Sequence, residues 1–140
     1  MSGIKRTPAD DAFSKCVRER NDYICERCGA VHQRGSGGLH CSHIYSRSHR
    51  TIRWAGDNAQ ALCFACHQWY GKNPADSGLW INDLMGEGAM AILREKLNSK
   101  VKVPKIEEKD IAKHYREQLR ILEKRRAEGE TGRIEFESYQ

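Results

Sequence analysis

No stretch of this chain approaches the roughly 20 apolar residues that a membrane-crossing helix needs, and the N-terminus lacks the apolar core of a secretory signal. A cytosolic protein with no membrane partner is therefore expected, in a compartment where thiols stay reduced. Internal repeats and low-complexity tracts are missing as well. At 140 residues with 39% hydrophobic content, the chain has room for one small domain with appended helices but not for two full cores. Acidic residues are absent from Val31 to Gly56, the stretch that holds Arg34, Arg47, Arg50 and Arg53. A segment with one sign of charge suits a polyanion.

What the chain does have is two Cys-x-x-Cys pairs, Cys25/Cys28 and Cys63/Cys66, bracketing that stretch. Each such turn presents two sulfurs to one tetrahedral ion, so the four thiolates suit a structural zinc site better than a disulfide framework in a reducing compartment. The formal net charge of +5 falls to about +3 once four thiolates and one zinc are counted. Between and beside the pairs lie His40, Cys41, His43, His49, Asn58 and His67.

The expected organisation is α+β: an N-terminal helix within residues 1–22, a zinc-bound core over 23–75, and a helical extension over 76–140. Thr7, Pro8 and Asp10 are spaced to start a helix running to about Arg20, with Phe13, Cys16 and Val17 on one face. Gly35 to Gly38 reads as a hairpin tip, Leu39 to Tyr45 as a strand, and Ser46 to Asp57 as a loop leading into a helix capped by Asp57 or Asn58. Two short helices are expected over 74–85 and 87–97, with Trp80, Leu84, Ile92 and Leu93 as packing residues. A longer helix over about 107–127 carries Ile111, Tyr115, Leu119 and Leu122 on its apolar face, which is also a candidate homodimer interface. Its opposite face, Lys109, Lys113, Arg116, Arg120 and Lys124, reads first as solvated and second as a DNA-contacting stripe. The segment from Arg133 to Gln140 carries no recognisable signal.

His43, Asn58 and Cys63-x-x-Cys66-His67, with Cys25-x-x-Cys28 upstream, resemble the zinc-stapled form of the HNH nucleases, a branch of the ββα-metal superfamily. Within it the chain is most similar to the phage NinG or Rap-type recombination nucleases. That similarity rests on Phe13-Ser14, Cys25-Glu-Arg-Cys28-Gly29, Ser42-His43 and Arg53-Trp54, and it covers about residues 10–75. The resemblance implies a metal-dependent DNA endonuclease acting on branched DNA and leaving a 5′-phosphate and a 3′-hydroxyl. Its setting would be the bacterial host cytosol of a phage.

Hydrolysis of a phosphodiester needs a deprotonated water and a cation to neutralise the phosphoryl and departing oxygens. His43 is assigned the proton, His67 the catalytic magnesium or manganese, and Asn58 the support of the loop that orients His43. The zinc, held by Cys25, Cys28, Cys63 and Cys66, is architectural. His67 has an alternative as a knuckle cap or zinc ligand. Where many HNH proteins place an Asp or His as second ligand, this chain has Ser42, so the ion relies on His67 with waters and phosphate, or recruits His40 or Cys41. Arg47, Arg50 and Arg53 are the candidate phosphate contacts, and Trp54 and Tyr45 read as packing residues before base-stacking ones. The contrasting expectation, motivated by Ser42 and the basic loop, is a non-catalytic zinc-containing DNA-binding module. A third is a protein-interaction adaptor using the C-terminal helix.

Overall fold

The computed structural model describes residues 4–140. Helix α1 spans Pro8–Arg20. Its start is a capping box: Thr7 accepts from the Asp10 backbone N–H at 3.3 Å, and the Asp10 carboxylate accepts from the Thr7 N–H at 2.9 Å. The chain then turns through Asp22 and Tyr23, both at positive φ, into the first cysteine knuckle, which an isolated bridge between Ile24 and Val31 closes.

Strand β1 (Leu39–His43) pairs antiparallel with β2 (Ala59–Cys63), in the register that sets His40 opposite Leu62 and His43 opposite Ala59. Helix α2 (Phe64–Lys72) follows β2 directly. This order corrects the expectation of a helix starting at Asp57 or Asn58. Those residues lie in a 3₁₀ turn over Gly56–Asn58 and the chain then extends, because Ala59, Gln60, Ala61 and Leu62 are all buried against both neighbouring layers. Instead the Cys63 thiol caps α2, accepting from the Cys66 N–H at 3.4 Å. The glycine-rich turn before β1 is a loop rather than a hairpin tip, since among the described residues β1 pairs only with β2.

Helices α3 (Pro74–Met85) and α4 (Glu87–Asn98) meet at Gly86, whose φ of +86 ends one helix and begins the next. Their buried apolar residues are Ile81, Met90 and Leu93; Leu84 and Ile92, expected to pack, are exposed, and Trp80 is half-buried. Helix α5 (Glu108–Ala127) lies along α1 with Ile111, Tyr115 and Leu122 fully buried. Each such side chain contributes about 1.5–3 kcal/mol of apolar burial. Most of that face is thus packed within the chain, with Leu119 half-buried. Its basic face is exposed and partly neutralised, as where Arg120 pairs with Glu117.

The segment after α5 has no regular structure yet is packed: Ile134 is buried, and Phe136 and Tyr139 join the cluster that holds Phe13, Val17 and Leu62. Residues from all three expected segments therefore share one core. No helix among the described residues is long and apolar enough to cross a membrane.

Candidate metal centre and polar groove

The two knuckles bring Cys25, Cys28, Cys63 and Cys66 together, all four sulfurs within 4.8 Å of one another. A tetrahedron with metal–sulfur bonds of about 2.3 Å has edges of about 3.8 Å, and Cys28 Sγ lies 3.8 Å from Cys63 Sγ. The donor set and its spacing fit zinc. Burial works against ionising Cys25, but backbone N–H groups of Cys28, Cys63 and Arg27 outweigh it and bring the thiol down to about 7. Burial first, with the neighbouring thiols acting in the same direction, pushes Cys66 up to about 12. A divalent cation draws all four to the thiolate. Arg27 offsets part of their charge: it stacks on Trp69 at 3.6 Å and donates to Cys66 Sγ at 3.5 Å. His67 is not a fifth member, and no other group of three His, Cys, Asp or Glu side chains converges among the described residues.

His43 ends β1 with its ring 5.9 Å from Phe13. Its Nε2 lies 3.2 Å from the Arg53 carbonyl oxygen. A carbonyl only accepts, so Nε2 carries the proton and Nδ1 the lone pair. Desolvation lowers the His43 pKa to about 4, with the Arg53 carbonyl opposing, so the imidazole is neutral near pH 7.

Asn58 is fully buried and holds the loop shut: Oδ1 accepts from the Tyr45 N–H at 2.8 Å, and Nδ2 donates to the carbonyls of Tyr45 at 2.9 Å and Ile52 at 3.2 Å. Its side-chain hydrogen bonds all go to the loop. His67 sits in the first turn of α2 and meets His40, Nδ1 to Nδ1, at 3.0 Å. Alternation along β1 puts His40 and Ser42 on the face toward α2, and Cys41 and His43 toward α1. Ser42 is buried, at 2% exposure, and burial pushes the Cys41 thiol up to about 12. His49 is exposed in the loop, beside Tyr45.

Of the three arginines expected on phosphate, Arg53 is buried at 4% exposure and bonded to Asp10. Its charge is consumed inside the protein, which removes it from the contact set. Arg47 reaches Asp10 at 3.5 Å and the Ile4 carbonyl at 2.9 Å, and Arg50 pairs with Glu108 at 2.6 Å. Trp54 is fully buried, flanked by Arg50 and Arg53.

The basic surface nearest the histidine pair is a different one. A groove of about 650 Å³ is lined by Arg6, Lys15, Arg18, Arg34, His40 and His67, among others. Among the described residues Lys15 and Arg18 have no carboxylate partner, whereas Arg34 pairs with Glu19 and Asp22 and Arg6 with Asp11. Sequence reading missed Lys15 and Arg18 because, on a helix bearing Asp10, Asp11 and Glu19, they look like ordinary solvated charges. The chain matches no known protein family, no curated protein and no solved structure.

Proposed function

We propose that this chain is a metal-dependent DNA endonuclease of the HNH type, with a ββα-metal core made by β1, β2 and α2. The observation that carries it is the pair of imidazole nitrogens, His40 Nδ1 and His67 Nδ1, 3.0 Å apart at the edge of the basic groove. Neighbouring ligands on an ion with bonds of about 2.1 Å lie about 3 Å apart, so the spacing suits two sites on one cation. Such an ion would supply charge to the phosphoryl and departing oxygens of the scissile phosphodiester. Imidazole donors favour manganese over magnesium, which prefers oxygen.

His40 takes the place that Ser42, buried and short, does not fill. His43, neutral and protonated on Nε2, is the proton acceptor that the resemblance assigns. Its ring packs against Phe13 on the α1 face of β1, opposite the His40–His67 pair, so its Nδ1 lone pair serves a water on its own side of the strand rather than one beside that ion. Asn58 keeps the loop, and with it the Arg53 carbonyl, in position. Lys15 and Arg18, joined by the outer parts of Arg6 and Arg34, line the path for the phosphate backbone. Branched DNA in a phage recombination setting is the substrate class that the sequence resemblance supports.

The reading is tested by cleavage of supercoiled plasmid and a synthetic four-way junction with manganese or magnesium, comparing wild type with His43→Ala at matched zinc content. Metal-dependent cutting that the variant loses is the expected result, and preference for the junction supports the branched substrate. A folded, zinc-loaded wild type that cuts neither favours a second reading, a zinc-containing DNA-binding module without catalysis. The burial of Ser42 favours that alternative, since the position the family uses for a ligand is closed.

A further inference from the structure

We infer that Gln140 is a positioning residue for His43, acting through the single peptide unit that joins Arg53 to Trp54. The carbonyl of that unit accepts from His43 Nε2 at 3.2 Å, and its N–H donates to Gln140 Oε1 at 2.7 Å. The Gln140 Nε2 donates back to the Arg50 carbonyl at 2.9 Å, so the amide grips the same loop at two points. Hydrogen bonds on the two ends of one peptide polarise each other, and Gln140 thereby strengthens the carbonyl that keeps the His43 proton on Nε2. Around this peptide, Ser138 accepts from the Gly56 N–H at 2.9 Å, and the Tyr115 hydroxyl donates to the Trp54 carbonyl while accepting from the Tyr139 N–H. The segment after α5, silent in sequence, is thus bound to the loop opposite the histidine.

The catalytic meaning of this relay rests on His43 being the base; its existence does not. The test uses the full chain, zinc-loaded, with three substitutions. Gln140→Leu removes both hydrogen bonds. Gln140→Asn withdraws the amide by one methylene without burying an apolar group. Gln140→Glu keeps an oxygen for the Trp54 N–H. Long-range nitrogen–proton spectra of the His43 ring, without DNA, are expected to show one Nε2–H tautomer in wild type and Gln140→Glu. A mixture is expected in Gln140→Leu and Gln140→Asn.

In the cleavage assay, the two breaking variants are expected to lower kcat about tenfold, the lower end of what losing an outer hydrogen-bond partner costs, with KM and zinc content held. Gln140→Glu, which keeps the acceptor for the Trp54 N–H but sets an oxygen against the Arg50 carbonyl, is expected to recover part of it. An unmixed Nε2–H tautomer in either folded breaking variant overturns the relay. A wild type that shows the tautomer response but cuts no DNA overturns the nuclease reading and leaves the relay standing.

Discussion

The guanidinium of Arg53 closes on the carboxylate of Asp10, Nε to Oδ1 at 3.0 Å and Nη2 to Oδ2 at 2.5 Å, with both side chains 5% exposed. Asp10 also closes the capping box of α1, so one carboxylate ties the helix start to the loop whose Arg53 carbonyl receives His43. Burial opposes ionisation of Asp10, but Arg53 and the Thr7 N–H outweigh it and hold its carboxyl below 3.8.

Breaking that pair from either side leaves a buried charge alone. Asp10→Ala and Arg53→Ala are each expected to cost about 3–5 kcal/mol in urea unfolding, and the double variant less than their sum. Additive losses would mean that the two side chains are not coupled.

The pH dependence of stability has a defined sign. The His43 pKa drops from 6.5 to about 4 on folding, so the unfolded chain binds more protons between those values. Stability is expected to fall as pH drops from about 6.5 to about 4, by roughly 2–3 kcal/mol for this half-buried ring at about 1.4 kcal/mol per pH unit. Depressed Asp10 adds a further loss as pH falls below 3.8. His43→Asn should remove the first loss and keep the second. Comparing the two proteins across pH cancels what zinc release contributes to both.

Zinc removal should undo the core. Binding by four thiolates is worth about 10–16 kcal/mol in small zinc domains, as much as a domain's whole stability margin of about 5–15 kcal/mol. Cys63→Ser is expected to lower metal content below one zinc per chain and to open amide exchange over residues 59–72. Full protection of that segment in zinc-free protein would refute an architectural role.

Metal affinity at the histidine pair can be read without cleavage. His40→Ala and His67→Ala are each expected to weaken manganese binding about tenfold by electron paramagnetic resonance titration. Equal affinity in wild type and both variants would reduce the 3.0 Å contact to a histidine–histidine hydrogen bond.

Salt dependence separates the two basic surfaces. Replacing Lys15 and Arg18 together by alanine is expected to flatten log affinity against log salt by about 1.8 on duplex DNA, about 0.9 per phosphate contact. Arg47 and Arg50, committed to Asp10 and Glu108, should yield a smaller change as a pair. The reverse ranking would return DNA to the arginine loop.

Much of this protein was open to inspection in the chain alone. The capping box at Thr7, the limits of α3 and the apolar stripe of α5 depend on residues a few positions apart, where local geometry decides. The four cysteines were equally legible, because two knuckles of fixed spacing have one chemistry in common. Asn58 illustrates the limit. Its role in bracing the loop was anticipated, but its place before a strand was not, since Ala59 to Leu62 becomes extended only by being buried between layers.

The sequence by itself determined the four cysteines that could hold a metal, the amphipathic helices and the histidines available for chemistry, because identity and short-range spacing suffice for these. Only the tertiary structure decided which charges are spent inside. It turned Arg53 from a surface cation into a buried partner of Asp10 and left Lys15 and Arg18 facing a groove. It also set His40 against His67, and laid Gln140 across the peptide that holds His43. Those pairings join residues 27, 43 and 86 positions apart. Over such separations only packing of the whole chain sets which groups meet.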